Sequence, residues 1–133
     1  MYMLDANILV RAIRQKDHPV RLRLANCIAG ELCISAISYA ELVYGVCHSA
    51  APERNRAALL ESLSKIDILP FDAKAGQCAG EIMAHLAAKG QPIGDRDMLI
   101  AGHALALGLP LITHNVREFE RIPGLRIEDW LMD

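Results

Sequence analysis

Tyr2-Met3-Leu4-Asp5-Ala6-Asn7-Ile8-Leu9-Val10-Arg11-Ala12-Ile13 changes its hydrophobic period at Asp5. Before it runs a short continuous apolar stretch; after it Ile8, Leu9, Ala12 and Ile13 return at the spacing of one helical face. An apolar run, a polar turn and an amphipathic helix form the opening of a βαβ unit. The same succession recurs along the chain. Residues 32–37 form an apolar run, after which Ser38 is placed to cap a helix reaching about Val46. Residues 66–69 form another, with a turn at Pro70 and a helix capped by Asp72 that ends near Lys89, before Gly90. Residues 111–113 form a third, followed by a helical turn at 117–119 and a last strand at 125–127.

The remaining segments read as helices. Pro19 opens one whose buried face would hold Val20, Leu22, Leu24 and Ile28, with Gly30 as its stop. Residues 48–52 break the chain before a helix over 53–64, and a loop at 91–96 leads to a helix from about Asp97 to Gly108. Strands alternating with helices at this spacing, several of them uniformly apolar, predict an α/β fold, with a mostly parallel central sheet covered by helices on both faces.

The 133 residues suit one domain, 1–133, large enough to bury a core without disulfide or zinc staples. The chain is 53% hydrophobic but only 5% aromatic, so that core is aliphatic, and the apolar surplus suggests a patch used for self-association. Cys27, Cys33, Cys47 and Cys78 lack zinc or redox spacing and read as buried free thiols. With Asp5, Asn7 and Arg11 interrupting the N-terminal apolar run, neither a signal peptide nor a membrane span is indicated, and a cytoplasmic location is expected. Net charge is −2, yet residues 1–30 carry Arg11, Arg14, Lys16, Arg21 and Arg23 against Asp5 and Asp17, a local +3. That run is either a solvated helix face or a surface that follows phosphates.

In a parallel sheet the crevice lies beyond the carboxyl ends of the strands, which draws attention to the polar residues just after each one. Asp5 and Asn7 follow the first strand, Glu41 lies one turn into the helix after the second, Asp95 and Asp97 open a later helix, and Asn115 and Glu118 follow residues 111–113. Gathered together, these carboxylates would repel one another and so imply a bound cation. Oxygen donors without a His or Cys constellation favour Mg²⁺ or Mn²⁺ over zinc. An ion of that kind acidifies water and offsets charge on a phosphate, which points to phosphodiester hydrolysis. Each residue also has a structural reading. Asp5 could cap its helix, Ser38-Tyr39-Ala40-Glu41 fits a capping box, Asp97 suits a helix N-terminus, and Asn115 and Glu118 suit a turn. His103 reads as structural, and His114 as a loop residue near the presumed site.

Four blocks carry a resemblance: residues 3–9 (MLDANIL), 34–42 (ISAISYAEL), 93–104 (IGDRDMLIAGHA) and 113–119 (THNVREF). In this order and spacing they resemble PIN-domain endoribonucleases of the VapC toxin type, and the similarity continues to Pro123-Gly124-Leu125 and Trp130. The resemblance implies a compact α/β/α domain that binds Mg²⁺ or Mn²⁺ through an acidic quartet and cuts RNA. It assigns Asp5, Glu41 and Asp97 to the metal and the catalytic centre. Many relatives carry Asp where this chain has Asn115, which leaves Glu118 and Asp95 as candidates for the fourth acid, with Asn7 behind Asp5. It further implies a homodimeric toxin restrained by a cognate antitoxin, with a tRNA, initiator tRNA above all, as substrate. The rival readings are a haloacid-dehalogenase-like phosphatase, whose D-x-D is D-x-N here, and a PIN-like domain that binds partners or RNA without catalysis. P-loop and dinucleotide fingerprints are both absent.

Overall fold

A computed structural model of the chain describes residues 1–132. Its elements are β1 (Tyr2–Leu4), α1 (Ala6–Arg14), α2 (Pro19–Ala25), β2 (Leu32–Ser35), α3 (Ala36–Cys47), α4 (Pro52–Ser62), β3 (Asp67–Leu69), α5 (Ala73–Ala88), α6 (Asp95–Leu107), β4 (Leu111–Ile112), α7 (Val116–Phe119) and β5 (Ile127–Glu128). The strands lie in the order β3-β2-β1-β4-β5, and every pairing is parallel.

Strand alternation divides the interior into two layers. Met3, Cys33 and Leu111 face one core with Leu86, Ile100 and Phe119, whereas Leu4, Ile34 and Ile112 face the other with Ile8, Leu9 and Leu42. Both faces of the central strands are therefore covered, which is why their sequences read as continuous apolar runs.

Several boundaries differ from the sequence reading. α3 starts at Ala36 with Ser35 as its cap, whose hydroxyl accepts from the Ile37 amide at 3.1 Å, so β2 is shorter than 32–37. Ser38 lies inside that helix, fully buried, and forms no capping box. α2 ends at Ala25 rather than near Gly30; of its expected apolar face Val20 is buried, while Leu22 and Ile28 are each 68% exposed. Residues 26–31 form a turn instead, closed by Glu31 accepting from the Ile28 amide at 2.7 Å. β5 begins at Ile127, because β4 uses the Arg126 and Glu128 carbonyls as acceptors. All four cysteines are free, but only Cys33 is buried and Cys47 is exposed. No helix among the described residues is long and apolar enough to cross a membrane.

α5 and α6 pack closely against one sheet face, and Gly102 sets their separation. A Cβ there would stand 2.5 Å from the Ala79 backbone, a distance that demands helix displacement. Gly102→Ala is therefore expected to lower stability by about 1–3 kcal/mol, read as a lower urea midpoint with an unchanged slope.

Candidate active site

The chain runs from β1 outward to β2 and β3, then returns to place β4 on the other side of β1. The strand order thus reverses between β1 and β4, and the crevice of an open α/β sheet opens at their carboxyl ends. Asp5 directly follows β1 and Thr113 directly follows β4.

Asp5 occupies the N-cap position of α1, yet its side chain makes no capping hydrogen bond. It accepts instead from the Thr113 hydroxyl at 2.9 Å, while that hydroxyl oxygen accepts from the Asn115 amide at 3.0 Å. The relay fixes one carboxyl oxygen and leaves the other free of any side-chain donor. Burial raises the Asp5 pKa above the usual carboxylate range, and the hydrogen bonds from Thr113 and the Ala6 amide offset part of the rise.

Glu41 is the sixth residue of α3 rather than a residue of its first turn. One of its oxygens, Oε1, is buried without a hydrogen-bond partner, and Oε2 lies 3.7 Å from an Arg96 guanidinium nitrogen. Its pKa is raised by burial and then by the Asp5 charge, with Arg96 opposing. Asp97 lies in the first turn of α6, beside the N-cap Gly94. Burial, then Asp5, Glu118 and Glu41 push its pKa up to about 6, against a smaller opposing effect of Arg96. A helix N-terminus normally favours an ionised acid, so burial and, after it, the surrounding carboxylates outweigh the macrodipole here.

Four acids, Asp5 at the α1 N-cap, Glu41 on α3, Asp97 on α6 and Glu118 on α7, are therefore near enough for their charges to act on one another. Asp95 does not join them, for it is exposed at the outer side of the same turn and shifts none of their pKa values. Asn115 contributes its backbone amide to the Thr113 relay. Asn7 is exposed and lines the opening beside Glu41 and Arg96, but it makes no bond to Asp5; Thr113 does. Arg96 and Thr113 were not singled out in the sequence. Thr113 reads in sequence as the last residue of a strand, and only the end of β4 at Ile112 marks its hydroxyl as a candidate.

His103 is buried on α6, as its place in the sequence suggested, and its Nδ1 lies 2.8 Å from the Ser35 hydroxyl. Phe71 meets the ring edge-on at 5.4 Å. Since Ser35 caps α3, this bond ties the helix that carries Glu41 to the helix that carries Asp97. Burial lowers the His103 pKa and keeps the ring neutral.

The acidic side chains of the cleft offer oxygen donors, and Glu41 Oε1, buried without a partner, has a polar need that a cation satisfies. Among the described residues no group of three or more His, Cys, Asp or Glu side chains stands close enough together to hold a metal ion on its own. Mg²⁺ suits such an open set, since it retains several waters and needs only one or two direct carboxylates.

A family model described as PIN domain matches residues 2–125. The tRNA(fMet)-specific endonuclease VapC of Shigella flexneri is 47% identical over 129 residues, covering 97% of each chain. The chain belongs to the VapC ribonucleases of the PIN-domain family. Ribonuclease VapC2 of Rickettsia felis is 42% identical to this VapC-family chain over 98% of both. Among solved structures, DNA-bound VapBC from Salmonella typhimurium matches with a TM-score of 0.91 and 46% identity over 97% of each chain. Promoter-bound VapBC2 of Rickettsia felis matches with a TM-score of 0.87 and 41% identity, over 97% of this chain and 98% of that one.

The raised acids make a pH prediction with a definite sign. Asp97 holds its proton up to about 6 when folded, against 3.8 ordinarily, so between those values the folded state binds more protons than the unfolded one. Its contribution to metal-free stability therefore declines as pH rises through that window and stays low above it. His103, with its lowered pKa, works in the opposite direction below 6.5. Comparison with Asp97→Asn in chelator isolates the Asp97 effect: the variant is expected to gain on the parent steadily from about pH 4 to about pH 7 in urea midpoints. A constant difference would contradict it.

Proposed function

We propose that this VapC-family chain is a divalent-metal-dependent endoribonuclease in which Asp5, Glu41 and Asp97 hold the ion, with Glu118 completing the acidic set. The observation that carries the reading is the buried, unpartnered Glu41 Oε1 in a cleft whose acids come from separate stretches of the chain, where burial and then the charges of Asp5, Glu118 and Glu41 push the Asp97 carboxyl up to about 6. A cluster of like charges opposed by the single Arg96 guanidinium is costly to fold unless something positive resides there. Mg²⁺ is the ion that the donor chemistry favours, with Mn²⁺ as the alternative.

When bound, such an ion acidifies water and offsets charge on the scissile phosphate. The chain's own residues supply the remainder. Thr113 holds the Asp5 carboxylate at one rotamer, His103 and Ser35 keep α3 and α6 in register, and Arg96 balances the charge of Glu41 before substrate arrives. The S. flexneri relative is named for tRNA(fMet), and the Salmonella and Rickettsia neighbours are VapBC toxin–antitoxin assemblies. For this chain they support the role of a toxin restrained by a cognate antitoxin, with initiator tRNA as substrate. A homodimer fits the exposed apolar side chains of Tyr44 and Leu60.

Purified chain with Mg²⁺ is expected to cut initiator tRNA, and chelator to abolish cutting. Asp5→Asn and Asp97→Asn should each lose more than the roughly 10–100-fold that removal of a residue behind a metal ligand costs, whereas Thr113→Val should fall within that range. Activity that persists in chelator would overturn the metal assignment. An intact initiator tRNA beside another RNA cut at one site would overturn the substrate.

A further inference from the structure

Beside the acidic cleft lies a second depression of about 420 Å³, lined by Asn7, Arg11, Arg14, His114 and Asn115 among others, with no acidic side chain among the described residues of its wall. Asn7 also borders the acidic opening, so the two are continuous along the N-terminal half of α1. Arg11 and Arg14 make no ion pair among the described residues. Two guanidinium groups one helical turn apart, facing an open depression, are suited to consecutive anionic groups.

His114 adds a different chemistry. Its Nδ1 lies 3.0 Å from Asp129 Oδ2, and the other Asp129 oxygen accepts from the Leu131 amide at 2.9 Å. Asp129 is itself well shielded, its side chain only 13% exposed, whereas the His114 ring is 51% exposed. An ionised carboxylate can only accept, so Nδ1 carries the proton and Nε2 is the ring edge left for a ligand. A hydroxyl that both donates and accepts pairs with that edge in either protonation state. His114 stands directly after Thr113, whose hydroxyl holds Asp5, so this edge is one residue from the acidic cleft.

We infer that the shelf formed by Arg11, Arg14 and the Asp129-oriented His114 binds the RNA strand flanking the scissile bond, the arginines taking its phosphates and His114 Nε2 pairing with a ribose 2′-hydroxyl. This rests on the ribonuclease reading and adds to it how the chain distinguishes ribose from deoxyribose.

The test measures binding of a fluorescent single-stranded oligoribonucleotide and its all-deoxy counterpart by anisotropy, in chelator, over a range of salt. The parent is expected to prefer the ribo-oligonucleotide. His114→Ala should erase most of that preference while leaving the salt dependence in place. Arg11→Ala and Arg14→Ala should each reduce the salt slope by about 0.7 while leaving the preference in place. His114→Phe retains a ring and replaces the alanine variant if that one fails a thermal-unfolding control. Unchanged preference in the His114 variants would overturn the ribose assignment, and unchanged slopes in both arginine variants would overturn the phosphate assignment. Because binding is read without metal, a parent that binds RNA in this pattern but cuts none leaves the shelf standing and removes the nuclease reading. Normal cutting with unaltered binding in every variant does the reverse.

Discussion

Asp5 is buried to 5% exposure at the end of the central strand, where it shares a cleft with three other carboxyl groups and a single opposing guanidinium. Water does not reach it freely enough to screen those charges, and the surrounding backbone cannot move away without breaking β1 from β4. The electrostatic frustration is therefore built into the fold. Rather than relieving it, the molecule holds it in place: the Thr113 hydroxyl fixes one oxygen of Asp5, Arg96 approaches Glu41, and Glu41 Oε1 stays buried and unpaired. An arrangement that disfavours its own ionised state is what a cation-binding centre requires, because the binding free energy then comes from relief of repulsion.

Rigidity of the supporting elements makes this possible. β1, β2 and β4 are covered on both faces, so the Cα positions of Asp5 and Thr113 are fixed by the sheet itself. Glu41 and Asp97 lie on helices and have no such constraint from the ladder. Their helices are joined through His103 and Ser35, and α6 is seated on α5 at Gly102, where no side chain separates the backbones. The buried histidine and the small residue act on the site at a distance, by restricting where α6 can lie.

Some of this was legible from the residues in order. The shift of hydrophobic period at Asp5 marked the strand and the helix, the repeated succession marked a parallel sheet, and acids placed after strands marked the cleft. Local hydrogen-bonding chemistry was less legible. Ser38 and Glu41 have capping-box spacing, yet the chain turns into α3 three residues earlier, at Ser35, because that hydroxyl meets both the Ile37 amide and His103. Val20, Leu24 and Ile28 have helical spacing, yet α2 is seven residues long and Ile28 falls beyond it in a turn, while Leu22, two residues from the buried Val20, lies on the opposite side of the helix. Spacing specifies which residues can share a face but not where an element stops when a competing turn is available.

By itself the sequence determined the alternation of strands and helices, the oxygen-rich character of the site and the candidate acids, because periodicity and residue chemistry are local properties that survive in one dimension. Tertiary structure decided which acids meet. Asp95 and Asp97 are two residues apart, yet one points to solvent and the other into the cleft, and Glu118 joins the cluster where Asn115 offers only its amide. It also selected Thr113, Arg96 and His103, whose roles depend on partners up to 108 residues away along the chain, as in the Thr113–Asp5 bond. Such contacts arise from strand order and helix packing, and no local pattern encodes them.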